Sequence, residues 1–177
     1  MKIEKLALAD FEVFLAYLND HLSDNGRGGT AYFQPLPRAD SHFPVEKADG
    51  FKAGIGIDVG QPGWRRVWLA RDADGAIAGH IDLRGHPERH TGHRCLLGMG
   101  VDRAYRQQGL GGALLAHAAQ WALVSGIQWI DLQVLSVNTP AINLYQRHGY
   151  RKTGEIPNMF HIDGQYFSYT SMTTRLR

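Results

Sequence analysis

Cys95 is the only cysteine in this 177-residue chain. An internal disulfide and a multi-cysteine zinc site are therefore excluded, and the apolar neighbours Leu96 and Leu97 mark Cys95 as a buried, unreactive thiol. Long hydrophobic runs are also missing. No stretch approaches the roughly 18 to 20 apolar residues of a membrane span, and Met1-Lys2-Ile3-Glu4-Lys5 leads into no signal-peptide core. A cytoplasmic protein without a membrane partner is expected. Charge of one sign is equally scarce: the formal net charge is +2, and the arginines are scattered instead of forming a stripe, which leaves no footprint for nucleic acid. There is no internal repeat and no low-complexity segment. His80, His86, His90 and His93 are irregularly spaced and lack an HExxH arrangement or partner cysteines, so they read as solvated side chains and no metal is expected.

What is present is an alternation of strand and helix patterns in a chain sized for a single domain, 1–177. Met1 to Leu8 suggests a short strand. Ala9 to Leu22 carries Phe11, Phe14, Leu15 and Leu18 at helical spacing, with Asp10 as its cap. Residues 23–66 are irregular: Asn25-Gly26-Arg27-Gly28-Gly29 and Gln61-Pro62-Gly63 are turns, Pro35 and Pro37 break helices, and a second helix is expected only over Val45 to Ile57. A long segment of this kind, rich in Tyr32, Phe33, His42 and Phe43, fits a functional lid, although the same aromatics could simply cover the core. Val67 to Arg71 and Ala76 to Leu83 form a hairpin around Asp72-Ala73-Asp74-Gly75. A strand over Arg94 to Val101, a helix from Leu110 to about Ser125-Gly126 and a strand over Trp129 to Val137 imply a right-handed crossover with parallel pairing. A short helix then opens at Thr139-Pro140, with Thr139 as cap, and closes at Gly149. Tyr150 to Ile156 and Gln165 to Thr173 make a terminal hairpin.

The most informative stretch runs from Met99 to Gly112. It combines an apolar strand end, a basic turn and a glycine-bearing helix start. A helix start leaves about four backbone N–H groups unpaired and carries roughly half a positive charge, so it can hold an anion. Gly109 and Gly111 remove side chains that would keep a phosphate away, and Arg106 adds a cation. A dinucleotide fingerprint would need glycine where Leu114 stands, and a P-loop would need the lysine and hydroxyl that Gly111-Gly112-Ala113 lacks. A turn without any ligand is the remaining plain alternative.

Arg106-x-x-Gly109-x-Gly111-Gly112 after an apolar strand resembles the acetyl-CoA pyrophosphate loop of the GCN5-related N-acetyltransferases, the GNAT family, with Gln107 departing from the commonest form at the first glycine. Asn138-Thr139-Pro140-Ala141-Ile142-Asn143-Leu144-Tyr145, followed by Gly149-Tyr150, is similar to a second stretch of the same family, in the right order behind the first. The resemblance covers Arg94 to Arg151, the acetyl-CoA-binding core 94–151, and implies an α/β (α+β) fold: a mixed, mostly antiparallel seven-stranded sheet with helices on both faces. It implies an acyl-CoA-dependent N-acetyltransferase that moves acetyl to a primary amine by direct attack in a ternary complex. The acceptor would be a small molecule or a protein amine, and a homodimer is compatible with the sequence. By the same resemblance Gln107, Gln108, Gly109, Leu110, Gly111 and Gly112 cradle the pyrophosphate beside Arg106. Met99, Gly100 and Val101 carry the pantetheine arm, and a backbone N–H near Met99 polarises the thioester. Asn138 contacts the cofactor, and Tyr145 is the general acid for the thiolate. The family's strand glutamate falls at Leu96, so the base is left among Asp82, His80, His86, Glu88, His90 and His93, or no single residue. A non-catalytic CoA-binding module of the same fold is the alternative that this loss permits.

Overall fold

The computed structural model describes residues 1–177. The chain runs β1 (Lys2–Lys5), α1 (Phe11–Leu22), α2 (Val45–Gly56), β2 (Arg65–Arg71), β3 (Ile77–Gly85), β4 (Arg94–Val101), α3 (Leu110–Val124), β5 (Trp129–Leu135), α4 (Thr139–Arg147), β6 (Arg151–Ile162) and β7 (Gln165–Arg175). The strands form one seven-stranded sheet in the order β1-β2-β3-β4-β5-β7-β6. Every pairing is antiparallel except β4 with β5, which matches the mixed sheet expected.

Side-chain alternation along the strands divides the core between the two faces. On one face Ile81, Leu83, Cys95, Leu97, Ile130, Leu132 and Val134 pack against Leu110, Leu114, Leu115 and Ala118 of α3, and α4 adds Tyr145. On the other, Val67 and Leu69 pack against Phe11, Phe14 and Leu18 of α1 and Ala48, Phe51 and Ile55 of α2. Gly54 of α2 lies so near the chain that a Cβ there would sit 2.7 Å from the Gly63 carbonyl oxygen. The glycine that weakens the helical pattern is thus what admits the close approach. Cys95 is fully buried, and burial is the main force pushing its thiol up to about 12.

Several boundaries differ from the sequence expectation for identifiable reasons. Asp10 stands at the N-cap position of α1 but its carboxylate makes no capping bond; it pairs with Arg71 at 3.4 Å, and a short 3-10 turn over Leu8–Asp10 precedes the helix. The cap of α4 is Asn138, whose Oδ1 accepts from the Ala141 N–H at 3.4 Å, so Thr139 is already helical. β5 ends at Leu135, two residues before the expected end at Val137. β6 continues to Ile162 instead of stopping at Ile156. It passes Pro157 through a register shift between Ile156 and Phe160, with Asn158 at φ 51°. A proline is tolerated there because β6 is an edge strand with one ladder to satisfy.

The irregular stretch after α1 is held by one side chain. Asn25 is fully buried; its Nδ2 donates to the carbonyls of Gln34 (3.0 Å) and Leu36 (3.0 Å) and to Ser41 Oγ (3.1 Å), while Oδ1 accepts from the N–H groups of Phe33 (2.8 Å) and Gln34 (3.0 Å). The Tyr32 hydroxyl donates to Asp163 in the β6–β7 turn at 2.6 Å, which fixes the segment to the far end of the sheet. No helix is long and apolar enough to cross a membrane.

Leu114 is fully buried where α3 crosses the sheet over Gly79. Leu114→Ala should lower unfolding free energy by about 2–5 kcal/mol in urea titrations, as large-to-small core changes do. A loss below about 1 kcal/mol would show that the α3 interface can collapse around the cavity.

Candidate functional site

β4 and β5 are in register only over Arg94–Leu96 against Trp129–Asp131. Beyond that point each strand follows its outer neighbour: β4 stays paired with β3 up to Val101, and β5 with β7 up to Leu135. The sheet therefore opens on the C-terminal side of Leu96 and Asp131. The Asp102 N–H donates to the Ala78 carbonyl (3.0 Å), which sets the alternation along β4. Gly98 and Gly100 direct their peptide groups to β3, whereas Met99 and Val101 direct theirs into the opening. Of the three residues expected to face a pantetheine arm, Gly100 thus has its backbone engaged elsewhere.

The opening leads to the start of α3. Gln107 (φ 60°) and Gly109 (φ 81°) both take left-handed backbone, which turns the chain into the helix; glycine accepts this freely and glutamine does so at a cost. Gly109 is the N-cap residue, no side chain caps the helix, and the first intrahelical bond is from Ala113 N–H to the Gly109 carbonyl. The N–H groups of Leu110, Gly111 and Gly112 are left to face an anion. The glycines have different duties. Gly109 looks into open space, but a Cβ on Gly111 would come within 2.8 Å of Leu144 Cδ2, and one on Gly112 within 2.7 Å of His148 Nε2. Gly111 and Gly112 therefore also let α3 and α4 meet. Arg106 is directed away from a lone role at the helix start: its guanidinium donates to the Val101 carbonyl (3.1 Å), to Asp24 (3.0 Å) and to Thr30 Oγ1 (3.4 Å). It joins the loop to the irregular segment. Gln108 reaches back to the Ala104 carbonyl at 2.9 Å.

On the α4 side, Asn138 uses its Oδ1 to cap the helix. Tyr145 is 8% exposed and packs on Tyr150, and burial raises its phenol pKa, so the hydroxyl keeps its proton at neutral pH.

The six base candidates are not brought together. Asp82 is 5% exposed and bonded to Arg65 (2.6 Å) and Arg84 (3.2 Å). His86 Nε2 lies 2.9 Å from Asp131, and its Nδ1 is 3.5 Å from Glu88. Glu88, His90 and His93 lie exposed on the β3–β4 connection. His80 faces α1, where two residues missed in the sequence join it. The Tyr17 hydroxyl donates to the Gly100 carbonyl at 3.5 Å and lies 3.3 Å from His80 Nδ1, and the His21 ring stands 6.0 Å from that of His80. His21 is buried with Nδ1 unpartnered. Burial lowers the pKa of both rings, His21 to about 4 and His80 to about 3, with repulsion from Arg106 adding at His21 and from His21 at His80. Tyr17 and His21 share a helix face with Phe14, a spacing that could have exposed the cluster. No three His, Cys, Asp or Glu side chains converge as metal ligands.

Because His21 and His80 fold as neutral rings, the unfolded chain binds protons that the folded chain refuses below about pH 6.5. Stability present above that pH should fall as pH drops toward about 4. Thermal melts from pH 7 to 4.5 should show this slope in the wild type and a shallower one in the double variant His21→Gln/His80→Gln; parallel slopes would remove the two rings as its source.

The model of the acetyltransferase (GNAT) family matches residues 35–150. Among curated relatives, the mycothiol acetyltransferase of Clavibacter michiganensis is 42% identical over 83 residues, covering 47% of this chain and 26% of that protein. The chain thus spans about a quarter of that relative's length. The streptothricin acetyltransferase of Streptomyces lavendulae is 30% identical over 129 residues, covering 70% of this chain and 66% of that one. Among solved structures, a GCN5-related N-acetyltransferase from Kribbella flavida superposes with a TM-score of 0.72 at 26% identity, covering 99% of this chain and 97% of the other. With the opening between β4 and β5 leading to an uncapped α3, these matches establish that the chain belongs to the GNAT family of acetyltransferases.

Proposed function

We propose that this chain binds acetyl-CoA in the β4–β5 opening and transfers its acetyl group to a primary amine by direct attack within a ternary complex. The observation that carries the reading is the Met99 and Val101 peptide edge, unpaired apart from the Val101 carbonyl that Arg106 bonds, together with the uncapped N–H groups at the start of α3. The first suits an amide-bearing arm laid down as an added strand, and the second suits a pyrophosphate.

In this reading the Met99 N–H donates to the thioester oxygen, which gains negative charge as the amine nitrogen adds to the carbonyl carbon. The C–S bond then breaks, and Tyr145 donates its proton to the departing thiolate. The acceptor amine must be neutral to attack, and an alkylamine with a pKa near about 10 is mostly protonated at neutral pH. Asp82 and His86 are already engaged and His80 is a weak base in its buried setting. The reading therefore has the proton leave through water in the groove. A CoA-binding module without turnover is favoured by one observation, the leucine at position 96. Thiol release across an amine panel separates the two.

The anion cradle is tested at Gly109, whose Cβ position is open. Asparagine and aspartate have the same shape and tolerate left-handed backbone alike, so Gly109→Asp should weaken acetyl-CoA binding at least tenfold more than Gly109→Asn in calorimetric titrations. Equal affinities would remove the pyrophosphate from this helix start. Tyr145→Phe should leave acetyl-CoA affinity within about twofold and lower kcat by about 10²-fold or more, the usual scale of acid–base assistance. A fully active variant would return Tyr145 to a packing role.

A further inference from the structure

Resting on the acetyl-transfer reading above, we propose that the acceptor is an amine that also bears a carboxylate, as an amino acid does, and that Arg84 holds that carboxylate. Strand register places Arg65, Asp82, Arg84 and Gly98 together on the sheet face covered by α1 and α2. Two guanidinium groups there share the single carboxylate of Asp82, so this part of the floor keeps a net positive charge. Arg65 is the more enclosed of the two, with 19% of its side chain exposed: its Nη1 lies 2.6 Å from Asp82, and its guanidinium sits 3.9 Å above the Phe51 ring centroid.

Arg84 differs. It has 35% of its side chain exposed, and its Nη1 donates one 3.2 Å bond to Asp82. The rest of the donor fork is turned to no protein acceptor, and a planar fork of this kind matches a carboxylate in two-point contact. The neighbouring acid on the same face is occupied. Asp131 receives Arg94 in two bonds (2.8 and 2.6 Å), Thr173 and His86. A cationic acceptor finds no unpaired acid here, while an anionic group finds a partly free arginine.

The position suits a small molecule. Gly98 has no side chain, and a Cβ there would lie 3.1 Å from both Asp82 carboxylate oxygens and 3.4 Å from Arg84 Nη1, so the glycine lets the Asp82–Arg84 pair lie directly against β4. The next residue is Met99, whose peptide group faces the opening, and adjacent Cα atoms are only about 3.8 Å apart. An amine presented at the Met99 edge and a carboxylate on Arg84 can therefore belong to one compact acceptor. Across the opening, the charge of Arg84 also acts on the Tyr169 phenol of β7, lowering a pKa that burial raises.

The test compares matched pairs, each amino acid against its carboxamide, as acceptors with acetyl-CoA, using thiol release by the full chain. A parallel calorimetric titration with the N-acetylated acids and amides in the presence of CoA needs no turnover. The free acids should be favoured at least tenfold in kcat/KM and in product affinity. Arg84→Gln should collapse that ratio toward one, and Arg84→Lys should restore part of it; thermal melts identify any variant that fails to fold. Equal or better use of the amides, or an acid preference that survives Arg84→Gln in a folded variant, overturns the proposal. Arg84-dependent binding of the N-acetylated acids without any thiol release would uphold Arg84 as the anion site and instead overturn the acetyl-transfer reading.

Discussion

The parallel ladder between β4 and β5 ends at Leu96 and Asp131, and the site depends on that ending. Both strands are committed on their outer edges, β4 to β3 and β5 to β7, and the twist of each pair draws them apart once the shared ladder stops. An interior strand is thereby given an unpaired edge inside a seven-stranded sheet. Backbone polar groups in such a place require partners. The need is met in part by Arg106, which bonds the Val101 carbonyl, and otherwise falls to whatever occupies the opening.

The surrounding elements are fastened to the rim of this opening. Asp24, just beyond α1, binds both Arg103 and Arg106, and Asp163 at the β6–β7 turn receives Tyr32 and the Arg38 N–H. Asn25, buried between these anchors, supplies to the irregular segment the bonds that a regular element would make for itself. The segment is thus tied at one end to the loop before α3 and at the other to the terminal hairpin. The family match, residues 35–150, takes in β4, the loop and α4, while α1 and the β6–β7 hairpin lie outside it. The β4–β5 opening and the start of α3 thus fall within the matched part.

Electrostatics on the two sides of the opening differ in kind. The α3 start offers peptide dipoles with no counter-charge in its first turn. The face under α1 and α2 is instead built from ion pairs, with Asp82 between Arg65 and Arg84 and Asp131 between Arg94 and His86. Beside them lies a neutral, desolvated patch of Tyr17, His21 and His80 over Gly100. A side chain at position 100 would collide with both imidazoles, so the glycine there serves packing on this face while its neighbours Met99 and Val101 serve the opening.

Much of this was legible in the sequence because local physics determines it. An apolar run marks β4 and alternating apolar residues mark β5, Gly109 marks a backbone turn, Pro140 marks a helix start, and the two motifs with the elements between them indicate the parallel crossover. The outcome of each local signal was a matter of tertiary neighbours. Asp10 left its helix end for Arg71, Gly111 was needed by Leu144 as much as by any phosphate, and Arg106 turned to Asp24. Asp82 and the histidines looked interchangeable as bases until long-range contacts engaged Asp82 with two arginines, His86 with Asp131, and His80 with an α1 residue distant in sequence. The sequence by itself determined the helix-start half of the site, since a glycine turn and a helix start act through backbone within a few residues. Only the tertiary structure decided which side chains on the sheet face under α1 and α2 are free, because charge pairing and burial there join residues that the chain keeps far apart.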